Sequence, residues 1–171
     1  EDFPTMADED LPIRFSVAAD ALRRLIDKTK FAVSTEETRY YLNGIYLHAA
    51  ESGGIAMLRA VATDGHRLAL VDTPLPDGAA NMPGVIVPRK AINELRKLID
   101  ETGDDIVVSL SETKIRFEFD DAVMSSKLID GTFPEYQRVI PEGNDKVMEV
   151  DAKTFAQAVD RVSTISTEKS R

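Results

Sequence analysis

Residues 15–39 read FSVAADALRRLIDKTKFAVSTEETR, a short apolar strand followed by a helix with one apolar face. A related stretch, MEVDAKTFAQAVDRVSTISTEKSR, occupies residues 148–171 and aligns with the first at an offset of 133, then 132 after one gap. A repeat at a period of about 130 residues indicates one whole structural unit lying between the end of one copy and the beginning of another. The alternative is chance similarity between two amphipathic helices. The shared Ser-Thr-Glu block argues against chance, because it lies beyond the helix, where amphipathicity does not require it.

This repeat predicts three parts in the chain. We interpret residues 1–11 as the tail of a preceding domain with its linker, and residues 12–141 as one complete domain. Residues 142–171 are then the truncated start of a following domain. Upstream of the repeat, Phe3-Pro4 recurs as Phe133-Pro134, which supports the same division.

Within residues 12–141, the order strand, helix and three strands occurs twice. The first copy has predicted strands at 13–17, 39–47, 57–63 and 66–72 and a helix at 18–30; the second has strands at 85–87, 106–110, 115–119 and 122–128 and a helix that starts near Pro88. The Asp64-Gly65 pair is a strong signal for a two-residue type I′ hairpin turn. The pattern predicts an α+β domain of two β-α-β-β-β halves, with largely antiparallel sheets and both helices on one side.

The two predicted helices each carry one apolar stripe, with basic residues off the stripe on the predicted solvent side. The stripes are formed by Ala18, Ala21, Leu22, Leu25 and Ile26 in the first helix and by Ile92, Leu95, Leu98 and Ile99 in the second. The helices have net charges of +2 and +1, which leaves −12 for the rest of the chain. The simplest interpretation is a solvated helix face. The alternative is a basic surface that holds a polyanion, on a body that repels it elsewhere.

The composition excludes several classes of protein. The 171 residues carry a net charge of −9, with 43% hydrophobic and 30% charged residues, as is typical of a globular protein. Without cysteine there is no disulfide framework, thiol catalysis or thiolate zinc site, and two histidines, His48 and His66, make a multi-histidine metal site improbable. No segment approaches the roughly 18 apolar residues of a membrane span, and the start does not resemble a signal peptide, so we expect a cytoplasmic protein.

Four motifs resemble one known family. The stretches RYYLNG (39–44), VATDGHRLAL (61–70), VPRKAINEL (87–95) and SKLIDGTFPEYQRVIP (126–141) are similar to the middle domain of the bacterial DNA polymerase III β sliding clamp. The resemblance covers essentially residues 3–171. It implies the DNA-clamp fold, with antiparallel sheets outside and two helices on one face, three such domains per chain, and two chains that close a ring around duplex DNA.

The resemblance also implies a function. Family members are non-catalytic processivity factors of the DNA polymerase III holoenzyme, need no cofactor or metal, and bind double-stranded DNA without sequence specificity. Their partners dock short apolar motifs in a groove on the clamp. These partners are the polymerase catalytic subunit, the clamp loader, other polymerases, ligase and mismatch-repair proteins. The full-length protein is expected to be a homodimer, with no membrane partner.

Two sets of site residues follow. We predict that the DNA-facing residues are Arg23, Arg24, Lys28, Tyr40, Tyr41, Arg89, Lys90, Arg96 and Lys97. For the tyrosines, the alternative is that at least one packs in the sheet. The resemblance places the peptide-binding groove at Leu42, Thr63, Gly65, His66, Arg67, Leu68, Pro134, Arg138 and Val139. Across a two-residue turn, Thr63 and His66 would be cross-strand neighbours, with Leu68 on the same face. Without the family, His66 would be an ordinary hairpin residue and Pro134 a simple turn former.

Two competing functions remain open at this point. Asp64, His66 and a nearby hydroxyl could form a hydrolytic set, but the sequence has no nucleophile elbow, glycine-rich phosphate loop or metal-ligand spacing. Asp64 is explained as a turn residue. The second alternative is a peptide-docking scaffold without direct DNA contact, whose basic helices serve only solubility. Steep salt dependence of duplex binding would distinguish a DNA clamp from this scaffold.

Overall fold

The computed structural model of the chain describes residues 10–165. The chain divides into two compact units, Glu1–Pro134 and Glu135–Arg171. The Phe3-Pro4 pair, most of the predicted tail, and the repeat positions at 166–168 and 171 lie outside the described residues. The domain limits at residues 11 and 141 therefore stay predictions.

The first unit contains the predicted pattern twice. The first half consists of β1 (Ile13–Ala18), α1 (Ala19–Asp27), β2 (Gly44–Ser52), β3 (Ile55–Thr63) and β4 (Leu68–Pro74). The second half consists of β5 (Val85–Pro88), α2 (Arg89–Asp100), β6 (Asp105–Leu110), β7 (Lys114–Glu118) and β8 (Val123–Lys127). The α+β architecture of two β-α-β-β-β halves is confirmed.

The two sheets exchange their first strands. One sheet has the order β4-β3-β2-β5 and the other β1-β6-β7-β8, and every neighbouring pair is antiparallel. Strand β1 of the first half therefore pairs with β6 of the second half, from Ile13 opposite Leu110 to Ala18 opposite Asp105. Strand β5 pairs reciprocally with β2. Each sheet is complete only when both halves are present.

One core joins the inner faces of both sheets to both helices. The helices contribute Leu22, Leu25, Ile26, Ile92, Leu95 and Ile99, and the second sheet contributes Phe15, Val17, Ile106, Val108, Leu110, Ile115 and Phe117. Alternation along β6 and β7 directs every second side chain inward, as the sequence predicts. Leu98 lies at the edge of its stripe and is only half-buried.

The predicted strand at 39–47 starts too early. Residues Tyr40–Leu42 form a 3₁₀ turn and the strand begins at Gly44. Two hydrogen bonds stabilise the turn, because the Leu42 N–H donates to the Arg39 carbonyl and the Arg89 N–H donates to the Asn43 carbonyl. Both tyrosines are consequently outside the sheet, contrary to the alternative considered for them.

The second unit contains helix α3 (Ala152–Ser163), whose first turn is capped by the Asp151 carboxylate accepting from the Thr154 N–H. Its Phe155, Val159 and Val162 are exposed. The strand end expected before this helix is absent from the described residues 142–150, which have no regular structure. Within residues 10–165, no helix is both long enough and apolar enough to cross a membrane.

Candidate functional site

The loop between β3 and β4 has four residues, so the predicted two-residue turn is wrong. Thr63 pairs with Leu68 across the ladder, and residues 64–67 form the loop. The Asp64 carboxylate accepts hydrogen bonds from the His66 and Arg67 N–H groups, each at 3.0 Å, which replaces the expected backbone turn. A type I′ turn needs a positive φ at both central residues, and here only Gly65 has one. His66 is therefore a loop-tip residue and not the cross-strand neighbour of Thr63.

The preceding segment contacts this loop through Arg39. Arg39 donates two hydrogen bonds to the Glu36 carboxylate, at 2.9 and 2.7 Å, and its guanidinium lies against the open side of Gly65. The hydrogen bond from Arg39 lowers the pKa of Glu36 below its usual value. Burial would raise the pKa of Asp64, but the hydrogen bonds from the loop outweigh burial and lower it. Both carboxylates are therefore ionised at neutral pH.

Arg67 is anchored on two sides. Its Nε lies 3.0 Å from Asp64 Oδ2, and its guanidinium stacks 5.7 Å from the ring centre of Phe31. Phe31 is largely exposed, so the ring and the guanidinium form a surface of mixed character. The sequence analysis did not predict Phe31, Glu36 or Arg39 as site residues, because their contacts with the loop depend on tertiary structure.

The remaining predicted groove residues differ in exposure. Gly65, His66, Arg67 and Pro134 are exposed, and Thr63 and Leu68 are half-buried. Leu42 is only 3% exposed, so its side chain supports the fold from inside rather than offering apolar surface. Arg138 and Val139 belong to the second unit, where both are exposed and Arg138 pairs with Glu135. Their membership of a common groove stays a prediction.

An aromatic stack anchors Pro134. The ring of the preceding Phe133 stacks on Tyr46 at 4.8 Å, and Tyr46 stacks on His48 at 4.6 Å. Tyr46 and His48 point to the same side of β2 because they are two residues apart. Burial lowers the pKa of His48, which favours the neutral ring in the stack. The two-residue spacing of the aromatic rings Tyr46 and His48 was the signal in the sequence that could have predicted this stack.

The basic residues of α1 and α2 fall into two groups. The predicted DNA-facing residues Arg24, Lys28, Arg89, Lys90 and Lys97 are exposed, and Lys97 pairs with Glu94 on its own helix. Tyr40 is 53% exposed and meets Tyr41 edge to face, with ring centres 5.8 Å apart. Arg24 donates to the Asp72 carbonyl at 3.1 Å on the surface. The exposed Lys28, Arg89 and Lys90 remain available to a ligand.

Arg23 and Arg96 instead link the two helices, which corrects their expected place on the solvent side. Arg96 is 20% exposed and donates to both oxygens of Asp27, at 2.7 and 3.0 Å. It also pairs with Asp100 on its own helix, and Arg23 reaches the same carboxylate from α1. Because their donors are directed at carboxylates, these two arginines are less suited than the exposed group to phosphate contacts.

This interhelix pair predicts a pH dependence of stability. The hydrogen bond from Arg96 lowers the pKa of Asp27 despite partial burial, so the pair contributes stability above the unfolded-state pKa and loses it as the pH falls through the folded-state value. We expect Asp27→Asn to be less stable than the parent at neutral pH, with the difference shrinking towards pH of about 3. Urea unfolding at both pH values measures this. Asp77→Asn, in an exposed loop, is the control, and an unchanged difference between the two pH values would contradict the prediction.

Residues 16–135 match the family model of the DNA polymerase III beta subunit, central domain. The chain belongs to the DNA polymerase III beta subunit family. Among curated relatives, the beta sliding clamp of Caulobacter vibrioides is 57% identical over 99% of this chain, and that of Pseudomonas aeruginosa is 42% identical over 99%. The chain spans about half the length of these relatives, 46% and 45% respectively.

Solved structures of the family have the same fold. A Caulobacter crescentus beta sliding clamp with bound polyethylene glycol is 57% identical, with a TM-score of 0.95 over 99% of this chain and 45% of the clamp. A Bartonella birtlesii sliding clamp bound to griselimycin is 55% identical, with a TM-score of 0.92 over 98% of this chain and 45% of the clamp. The fold expected from the resemblance is therefore confirmed.

Proposed function

We propose that the chain is the central part of a sliding clamp, a non-catalytic processivity factor of the DNA polymerase III holoenzyme. In this proposal, residues 12–141 are the middle domain, preceded by the end of one clamp domain (1–11) and followed by the start of another (142–171). Two full-length chains close a ring around duplex DNA in the bacterial cytoplasm, at the replication fork. The observation that carries the proposal is the pair of neighbouring helices with exposed cations on a chain of net charge −9.

The cations suit contact with phosphates without sequence readout. Lys28, Lys90, Arg24 and Arg89 are exposed side chains on rigid helices. Contacts to phosphate position a protein on DNA but carry no sequence information, and they break and re-form as the protein moves. A direct contact to a base edge would hold the clamp at one site by about 1–3 kcal/mol, which opposes sliding.

The second part of the proposal is the docking groove. Short apolar motifs of partner proteins would dock against the loop at residues 64–67, Leu68 and Pro134. These partners are the polymerase catalytic subunit, the clamp loader, other polymerases, ligase and mismatch-repair proteins. Apolar side chains provide the walls, while His66 and Arg67 offer donors to the backbone of the bound segment. Two solved clamp structures support a ligand site on this fold. The Bartonella birtlesii clamp is bound to griselimycin, and the Caulobacter crescentus clamp has polyethylene glycol bound in a region proposed for beta-motif tethering. Tethering raises the effective concentration of the polymerase at the DNA.

A topological experiment tests the proposal. The full-length protein, loaded by its ATP-driven clamp loader, should stay on a nicked circular duplex and dissociate rapidly once the circle is linearised. A docking scaffold without DNA contact would be retained on neither molecule. A protein that binds DNA by surface charge alone would remain equally on both. Either of these two results would contradict the clamp.

A further inference from the structure

We propose that Phe31 is a positioning residue of the docking site, whose ring holds the Arg67 guanidinium ready to donate hydrogen bonds to a bound peptide segment. The inference rests on the proposed docking function of the loop at residues 64–67, and adds to it a residue that the four sequence motifs do not contain. Phe31 lies in the 3₁₀ turn Lys30–Ala32 after α1, so only the fold brings it beside the loop.

The backbone that carries Phe31 is fixed. The Ala32 N–H donates to the Thr29 carbonyl at 3.0 Å. Thr29 and Ala32 are fully buried, and the Thr29 hydroxyl donates to the Leu25 carbonyl of α1 at 2.5 Å. Phe31 itself is 55% exposed. Its ring is therefore a surface group on a rigid support.

The turn does not explain why an aromatic ring stands at this position. Lys30, the preceding residue of the same turn, is also exposed, so the turn accepts a charged side chain on its outer side. Single exposed apolar residues are common, and exposure alone does not indicate a function. The distinguishing observation is that the Arg67 guanidinium lies over the ring, 5.7 Å from its centre. An aromatic face attracts a cation, whereas an aliphatic side chain offers no such attraction.

The loop itself holds the rest of Arg67. The Arg67 N–H donates to Asp64 Oδ1 and its Nε donates to Asp64 Oδ2, each at 3.0 Å. The Arg67 carbonyl accepts from the Thr63 hydroxyl at 2.7 Å. Asp64 therefore fixes one edge of the guanidinium, and Phe31 fixes its face. The arginine side chain is nevertheless 60% exposed.

The two Nη groups of Arg67 are left for a ligand. Within residues 10–165, the guanidinium has no hydrogen-bond or ion-pair partner other than Asp64, which occupies Nε. The Nη groups carry N–H donors that suit the backbone carbonyl oxygens of an extended segment. An arginine that is already ordered loses less side-chain freedom when a ligand binds, so its hydrogen bonds contribute more to affinity. Without the ring, only one edge of the guanidinium would stay fixed.

A double-mutant cycle tests this role by isothermal titration calorimetry of the full-length protein. The probe is griselimycin, the ligand of the Bartonella birtlesii clamp. We expect Phe31→Leu to weaken binding about threefold or more in the parent background. Phe31→Tyr keeps an aromatic face and should bind within about twofold of the parent. In an Arg67→Ala background the ring has no guanidinium to hold, so Phe31→Leu should change affinity by less than about 1.5-fold.

The outcomes of this cycle are distinct. Equal losses from Phe31→Leu in both backgrounds would mean that the ring acts on the ligand or the fold directly, and would overturn the positioning role. An unaffected Phe31→Leu variant of a parent that binds griselimycin would refute this inference alone. A parent that does not bind griselimycin would refute the proposed groove and this inference with it. Ile55→Ala is the control, because Ile55 is 63% exposed at the opposite end of β3 from the loop and should leave affinity unchanged.

Proton NMR of the Arg67 side chain provides a readout that needs no ligand. The ring current of Phe31 shifts the Arg67 side-chain resonances, so Phe31→Leu should remove this shift and Phe31→Tyr should keep it. The melting temperature of both variants should stay within about 2 °C of the parent, because the ring is mostly exposed. Arg67 resonances that do not respond to Phe31→Leu would show that the ring does not hold the guanidinium, and would overturn the proposal.

Discussion

The proposed docking groove predicts that griselimycin, the ligand of the Bartonella birtlesii clamp, binds this protein and that replacing Gly65 with alanine weakens this binding at least about tenfold, a loss of roughly 1.4 kcal/mol or more. Gly65 has a φ of +87°, which an alanine adopts only with strain of about 1–3 kcal/mol. The added methyl group would also collide with the Arg39 guanidinium. Arg39 must then shift at the flexible end of its side chain, which disturbs its contact with the loop carrying His66 and Arg67. Isothermal titration calorimetry with griselimycin measures the effect.

Gly54→Ala provides the matched control for this prediction. Gly54 has a similar φ of +79° in the turn between β2 and β3, but a methyl group there would meet open space. Both variants should lose comparable stability from backbone strain, and only Gly65→Ala should lose griselimycin affinity. If both variants bind griselimycin as the parent does, the loop at residues 64–67 is not part of the ligand site.

Reversing the charge of the four exposed helix cations is expected to reduce strongly the loading of the full-length clamp onto circular DNA, because the DNA must be held by phosphate contacts before the ring closes. The variant carries Arg24→Glu, Lys28→Glu, Arg89→Glu and Lys90→Glu. Each lost phosphate contact removes about 0.9 from the slope of log affinity against log salt, so losing several lowers affinity by about 10² or more. New acidic groups at the same positions add repulsion. The amount of clamp loaded onto nicked circular duplex, measured over a salt series, reports both effects.

The stability and ligand affinity of the same fourfold variant serve as controls for its folding. All four side chains are exposed, and the hydrogen bond from Arg24 to the Asp72 carbonyl lies on the surface, so the melting temperature and the griselimycin affinity should remain close to those of the parent. Equivalent reversal of Arg23 and Arg96 should instead reduce stability, because these residues pair with Asp20, Asp27 and Asp100. Loading onto DNA unaffected by the fourfold reversal would exclude this helix face as the DNA contact.

Local periodicity was sufficient to predict most of the fold. The helical spacing of Leu22, Leu25 and Ile26 predicts a buried stripe, and all three are in the core. Alternation of Ile115 and Phe117 with charged residues predicts a sheet with one solvated face, as β7 has. These patterns are reliable because burial on one side of an element repeats with that element's own period.

The errors arose where distant contacts decide local structure. Arg39 to Asn43 resembles a strand in its aromatic content, but the Asn43 carbonyl is taken by the Arg89 N–H from the second half of the domain. The Asp64-Gly65 pair has the sequence of a tight turn, but Asp64 uses its side chain to cap a longer loop. Likewise, the sequence places Arg96 off the apolar stripe, yet cannot show that Asp27 of the other helix faces it.

The exchange of first strands between the sheets has a consequence for how this domain is made. The backbone of Ile13 can form its strand pairing only after Leu110, nearly a hundred residues later, has been synthesised. On the ribosome, the first half therefore emerges with an open sheet edge and an uncovered apolar helix, a state prone to aggregation. Pairings so distant in sequence also slow the search for the native topology. The nascent chain should therefore depend most on chaperones in the seconds before β6 leaves the ribosomal exit tunnel.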